Sequence, residues 1–284
     1  MKNLLKHEFT KAIKNKMFFF SLLIVTALCI YSAVFVIISY YDDINKINLI
    51  ATQNECEVNP MIPAFTLYNK WIGQEWISFS SSLLFLLLPL TASLPFSWSF
   101  CKEKKIGYLN NLYIRTSPQK YLNTKYFVTF IVGVISILIP LFINLMIVSA
   151  FIPAVDPNVH YDIYYNMPVN CILSELFYTY PLLYIIIKLL IISLFSGAFA
   201  VLGQATGIII KNKFVVVLFP FVFLLIFNYI SSILSPTVEL SPIQFLYGGG
   251  KILTNYWVIQ LELSIFLLSS LIIIKFKGVN KDAL

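Results

Sequence analysis

Six apolar stretches, each near or beyond 20 residues, follow one another along the chain at about 17–40, 76–100, 126–152, 176–210, 214–235 and 256–274. A helix needs about 20 apolar residues to cross the roughly 30 Å hydrocarbon layer of a bilayer. Water is a poor solvent for such a chain: 59% of its 284 residues are hydrophobic and 12% are charged, against about 25% charged in soluble domains. Six crossings leave little for a separate soluble domain. The expected fold is all-α, a single polytopic membrane domain over 1–284 with six transmembrane helices.

Several chemistries lack their residues. The two histidines, His7 and His160, are far apart, and neither HExxH nor Cys-x-x-Cys occurs, so no metal site is expected. Gly248-Gly249-Gly250-Lys251 lacks both the leading glycine and the Ser/Thr of a phosphate-binding loop. The chain is therefore not expected to bind ATP or any other cofactor by itself. Its first apolar run is too long for the 7–15-residue core of a cleaved signal peptide, and is expected to stay as an anchor.

Charge sets the expected orientation. Sixteen of the 20 basic residues fall on one face: five in the arm 1–16, six in the loop 101–125, Lys211 and Lys213, and three in the tail. The opposite loops hold Lys46, Lys70 and Lys251 beside acids such as Asp42, Asp43, Glu55, Glu57 and Glu75. By the positive-inside rule both termini and the 101–125 loop are cytoplasmic. The net charge of +7 then reflects topology, and no nucleic-acid partner is expected.

Leu5, Phe9, Ile13 and Met17 recur every four residues in the arm, with lysines on the rest of its circumference. This predicts an amphipathic elbow helix over 1–16, either lying in the headgroup layer of membrane lipid or merely flanking the first span. Gly197, Gly203 and Gly207 make a small-residue face on the fourth span, for packing within the bundle or against another subunit. Pro89, Pro95, Pro140, Pro181 and Pro220 predict bends.

Lys188 and Glu262 are the intramembrane charges. Lys188 is placed to snorkel towards the outer headgroups. Glu262 is either paired with Lys188, part of a polar path, protonated, or met by local water. Cys56 and Cys171 share the outward face and are candidates for a disulfide. The broken segment 236–255 reads as an outer re-entrant or interfacial piece.

The loop 101–125 contains Glu103, then Gly107 four residues on, Leu109, Leu112, Arg115, the Ser117-Pro118 break, and Lys125 opening the third span. This pattern resembles the cytoplasmic loop of type-2 ATP-binding-cassette (ABC) exporter permeases, with Tyr108 where that family usually has a small residue. The elbow, the glycine-containing fourth span joined tightly to the fifth, and the broken outer segment extend the likeness over most of the chain.

The resemblance implies a permease without catalytic residues of its own. Glu103, Gly107, Leu109, Leu112, Arg115 and Pro118 would form the coupling helix that docks on a separate ATPase subunit. ATP and Mg would be bound by that partner, and a second permease copy or a homologous permease would complete the transporter. It also implies export across a bacterial cytoplasmic membrane. A hydrophobic or amphipathic cargo is favoured, a peptide or antibiotic first, as in antimicrobial-peptide immunity systems. Nineteen lysines to one arginine fit an AT-rich bacterial genome. The alternatives are an accessory or sensor subunit that binds a ligand at its acidic outer loops without moving it, and an intramembrane enzyme. The enzyme would have only Glu262 and Lys188 to work with.

Overall fold

The computed structural model describes residues 2–57, 65–114, 116–168, 171–234, 240–247 and 256–280. Among these the chain is helical, with no strand. Helix α1 (Lys2–Ile13) is the arm and α2 (Lys16–Gln53) the first long helix. After α3 (Leu67–Lys70), α4 (Phe79–Ser93) leads into a two-helix segment, α5 (Ser99–Lys105) and α6 (Tyr108–Tyr113). The long α7 (Pro118–Phe151) returns to short pieces, a 3-10 turn at Val159–Tyr161, α8 (Asp162–Tyr165) and α9 (Ser174–Thr179). The last four are α10 (Pro181–Ile209), α11 (Lys213–Leu234), α12 (Pro242–Leu246) and α13 (Tyr256–Asn280).

Five helices, α2, α7, α10, α11 and α13, are long and apolar enough to cross a membrane. Their outward faces carry exposed Leu23, Ile30, Leu225, Ile226, Leu261 and Ile265. A water-soluble protein does not leave so much contiguous hydrocarbon uncovered, so the architecture is that of a membrane-embedded protein.

Local chemistry corrects several expected boundaries. The stretch 76–100 is not one long helix: α4 has 15 residues, about 22 Å at 1.5 Å per residue. Pro95 lies in the turn after it, and α5 begins anew. At its other end the Ser78 side chain caps α4, accepting from Ser81 N–H at 3.2 Å, while Glu75 accepts from the Ser78 N–H at 2.6 Å. The stretch 176–210 also divides. Pro181, which has no N–H, takes the first position of α10, where none is needed, and α9 ends before it. Pro95 and Pro181 therefore make starts and stops instead of bends, whereas Pro89, Pro140 and Pro220 do lie inside helices. Helix α2 runs on to Gln53, and α7 starts at Pro118, inside the expected loop 101–125. Of the segment 236–255, α12 and its immediate flanks are described. Gly248, Gly249, Gly250 and Lys251 lie outside the described residues.

Helix α10 is the axis of the bundle, flanked by α7, α13, α4 and α11. Its small residues let the neighbours approach. A Cβ on Gly133 of α7 would stand 2.6 Å from Ala200 Cβ, and one on Gly197 would stand 2.7 Å from the Phe130 ring. Gly203 faces Val216 O, 3.1 Å from where its Cβ would be. That carbonyl is the one released by Pro220 four residues on. The expected packing role of Gly197, Gly203 and Gly207 is thus exercised within this chain, Gly207 lying 3.5 Å from Val216 by the same measure.

Hydroxyls then tie helices together. Ser21 donates to Thr91 O at 2.6 Å, Ser93 to Val217 O at 2.9 Å, Ser97 to Ala200 O at 2.7 Å and Ser196 to Gly133 O at 3.0 Å. Buried Asn144 of α7 accepts from Ile72 N–H at 2.9 Å and donates to Cys29 O at 2.7 Å, joining α7, α2 and the segment after α3.

Candidate functional site

The lysine-rich end of the bundle concentrates the chain's buried ionic chemistry. Gly107, at φ +74°, takes the left-handed conformation that ends α5 and lets α6 start at a new angle. Thr116 Oγ1 donates to Leu112 O at 3.0 Å as α6 closes, and Ser117 with Pro118 opens α7. One face of the segment is apolar and inward: Phe100 and Leu109 pack with Tyr121 and Leu122 of α7, Ala205 and Ile208 of α10 and Ile274 of α13. The other face is open, with Ile106 68% and Ile114 85% exposed beside exposed Asn110 and Asn111.

Beneath this segment, α1, α5 and α7 meet in an ionic cluster. Glu103 of α5 is buried. One of its carboxylate oxygens accepts from Lys11 Nζ of α1, the other from both Tyr121 Oη and Lys125 Nζ of α7. Tyr121 and Lys125 are one turn apart on α7, so both reach the same oxygen, and Lys125 also donates to Tyr121 Oη at 2.9 Å. Glu8 of α1, with no exposed surface, completes the group: Lys125 Nζ is 3.5 Å from its carboxylate and Lys11 Nζ 4.0 Å. Two acids and two ammoniums balance, so each buried charge of the group has an opposite one in reach.

Burial by itself would raise the Glu103 carboxyl, but Lys125 and Lys11 outweigh it and hold the group below the ordinary carboxylate range. For Lys11 burial works downwards, and Glu103 with Glu8 outweighs it, leaving the ammonium above the ordinary lysine value. Asn15, at the break between α1 and α2, adds a tether by donating to Pro95 O at 2.8 Å.

The arm differs from its expectation accordingly. Its stripe does not face lipid alone: Leu5, Phe9, Ala12 and Ile13 pack with Phe18, Phe96, Val128 and Val132. The reason is Glu8, which lies on the inward side and draws α1 onto Lys125. Of the six residues expected to dock a partner, Glu103 and Leu109 are turned inward and buried, Leu112 and Pro118 are half-buried, and Gly107 is exposed. Arg115 lies outside the described residues.

Sequence reasoning missed Lys11, Tyr121 and Lys125 as partners of Glu103, and Glu8 as the second acid of the cluster. The available signal was Glu8, the single acid in an arm of five lysines, set on the arm's apolar side. It also passed over Ile106 and Ile114, whose exposure depends on where Gly107 turns the chain.

The other expected residues lie elsewhere. Lys188 does not snorkel outward: it is buried and donates to Phe245 O of α12 at 2.9 Å, because α12 folds over that end of α10 and offers a carbonyl. Glu262 falls on the inward stripe of α13 with Phe266, Ser270 and Ile274, and its Oε2 has no hydrogen-bond partner. No disulfide joins Cys56 to Cys171, and Cys29 and Cys101 are not bridged either. Among the described residues no group of three or more His, Cys, Asp or Glu could hold a metal ion.

No protein-family model, curated protein or solved structure matches this chain.

Proposed function

We propose that the chain is the membrane-spanning subunit of a transporter driven by a separate ATPase, and that α5 and α6 are the surface on which that ATPase docks. The reading is carried by one observation: Ile106 and Ile114 stand bare on a short two-helix segment whose other face is anchored by an apolar cluster and a buried ionic group. A segment that only joins two membrane helices needs neither the anchoring nor the exposed isoleucines. Apolar side chains set among amides suit the core of a protein interface.

On this reading α4 is a sixth, short crossing beside the five long helices. Both termini and the α5–α6 segment are cytoplasmic, following the lysines. The partner binds ATP and Mg, and its closure pushes on α6. Glu103 carries that push to α1 through Lys11 and to α7 through Lys125. Paired with a second copy or a homologous permease, the bundle moves a hydrophobic or amphipathic cargo outward, a peptide or antibiotic by preference.

The docking residues are revised from those legible in sequence: Ile106, Asn110, Asn111 and Ile114 replace Glu103 and Leu109. The tagged chain is purified from its native cells in mild detergent, and co-purifying proteins are identified by mass spectrometry alongside an ATPase assay. A P-loop ATPase that co-purifies with the native chain and with Lys120→Gln, but is lost with Ile106→Asp and Ile114→Asp, is the expected result. Retention of the ATPase by both aspartate variants would remove α5–α6 as the docking surface. Absence of any ATPase would leave the accessory-subunit reading in its place.

A further inference from the structure

At the end of the bundle away from α5 and α6, a cavity of ≈ 240 Å³ lies between α2 and the chain on either side of α3. Lys70 of α3 lines it and is only 7% exposed. Its Nζ lies 4.0 Å from the centre of the Phe65 ring, and among the described residues it has no hydrogen bond and no ion pair. Nor is it sealed off: Nζ keeps surface on the cavity, whereas Trp71 Nε1, next along the chain, is closed in. A ring face meets an ammonium from one side and leaves N–H donors over. Burial pushes Lys70 below the ordinary lysine value, although Glu75 and Asp43 pull the other way. A buried ammonium without a partner is costly.

The other charges on the wall narrow the ligand. Glu75 is engaged at the start of α4, accepting from the N–H groups of Ile77 and Ser78 and from the Ser78 hydroxyl. Asp43 holds Lys46 at 3.5 Å. That leaves Lys70 on the buried side and Asp42, an exposed carboxylate with no partner among the described residues. A simple anion would meet three acids against two lysines, and a simple cation would leave Lys70 as it is. A zwitterion answers both. Position then gives its class. Phe35 is 19 residues beyond Lys16, about 29 Å along α2, so the cavity opens where the roughly 30 Å hydrocarbon layer ends. Exposed Tyr41 and Trp76 flank it, as aromatic residues do at headgroup level. Below its mouth Tyr31, Phe35 and Ile38 form one exposed stripe on α2.

We propose that this cavity binds the headgroup of an aminophospholipid: its phosphate accepts from Lys70 Nζ, its primary ammonium donates to Asp42, and its acyl chains lie along Tyr31, Phe35 and Ile38. The site is independent of the transport reading and requires only that the chain sits in a bilayer. Occupied, it gives Lys70 the anion it lacks and ties α3 to α2 through the lipid.

The test is native mass spectrometry of the full chain, released from detergent and titrated with phosphatidylethanolamine, phosphatidylcholine or phosphatidylglycerol. The choline headgroup has no N–H to donate, and the glycerol headgroup has no cation. Phosphatidylethanolamine is expected to bind about tenfold more tightly than either, the scale of one hydrogen bond to a charged group. Asp42→Asn should remove most of that preference, and Lys70→Met should weaken phosphatidylethanolamine about tenfold. Asp156→Asn, exposed and outside the cavity wall, should change neither. Without lipid, Lys70→Met should melt no lower than the native chain, because an unpartnered buried ammonium does not stabilise the fold. Added phosphatidylethanolamine should raise the melting temperature of the native chain and not that of Lys70→Met. Equal binding of phosphatidylethanolamine and either other lipid, unchanged binding by Lys70→Met, or a lower lipid-free melt for that variant overturns the site. Displacement by millimolar phosphoethanolamine, which has the headgroup charges and no chains, overturns the lipid assignment and gives the cavity to a free zwitterion.

Discussion

Replacing Glu103 by Gln keeps the shape of the side chain and removes one charge from a cluster of four. The amide oxygen can still accept from Tyr121 and Lys125, but the amide nitrogen in place of the other oxygen cannot accept from Lys11 Nζ. What changes as well is that the buried Lys125 and the half-buried Lys11 are left facing a single carboxylate, Glu8, at 3.5 and 4.0 Å. Removing one partner of a buried pair costs about 3–5 kcal/mol. Glu8 still compensates in part, which puts this variant near the lower end, about 3 kcal/mol. For a chain of this size that corresponds to a fall of about 6–12 °C in Tm.

Buried Cys29 and Cys101 supply the assay, since a fluorogenic maleimide reaches them only as the bundle opens; burial also keeps the Cys101 thiol protonated by raising it. The stricter test is a cycle with Lys125→Met. That single change leaves Glu8 and Glu103 sharing Lys11, whereas the double variant restores one acid to one ammonium. The double variant should therefore melt above Lys125→Met alone. A Glu103→Gln variant within 2 °C of the native chain, or a double variant melting below both singles, would refute the idea that this cluster holds the arm by charge. (The 2 °C limit is about 1 kcal/mol.)

Four further outcomes rest on the same structure. Because the folded Glu103 titrates below its ordinary value of 4.5, its contribution is complete above that pH and fades as pH falls through the lowered value; melting should drop on acidification, and less so in Glu103→Gln. Gly133→Ala places a methyl 2.6 Å from Ala200 Cβ, with Ser196 O at 3.2 Å, and should cost about 1–3 kcal/mol. Gly207→Ala, in ordinary contact at 3.5 Å, should be neutral or slightly stabilising in the same melt. Asn144→Ala leaves the buried Ile72 N–H without its acceptor and should cost about 1–3 kcal/mol, read as a lower Tm with unchanged helicity by circular dichroism.

Hydropathy made the long helices legible because a membrane span is a property of one segment at a time. Helix α11, expected at 214–235 and found at Lys213–Leu234, shows how well that works when nothing interrupts the run. It fails where polar chemistry cuts an apolar run: Tyr180-Pro181 ends one helix and starts another, and Pro95 in the turn before α5 does the same. The site was legible only by residue type. Glu103 was recognised as special, but its direction depends on Glu8 and Lys11, more than 90 residues earlier, and on Tyr121 and Lys125, a helix later. No periodicity within the loop 101–125 carries that information. Leu109 shows the same limit, since its burial is decided by Ala205, Ile208 and Ile274.

The serine ties between helices have a mechanical consequence. Apolar surfaces in lipid have little preference for one axial position over another, because sliding exchanges hydrocarbon for hydrocarbon. Ser21, Ser93, Ser97 and Ser196 each reach a single carbonyl on a neighbour, so a slip of one residue, about 1.5 Å, unseats them. Each contributes little by itself, on the order of 0.6 kcal/mol. Their effect is to index the bundle the way dowels index a stack of boards: helices can tilt about these points more easily than they can shift lengthwise. A push applied at α6, as the proposed docking would supply, should therefore reach the far end as rotation.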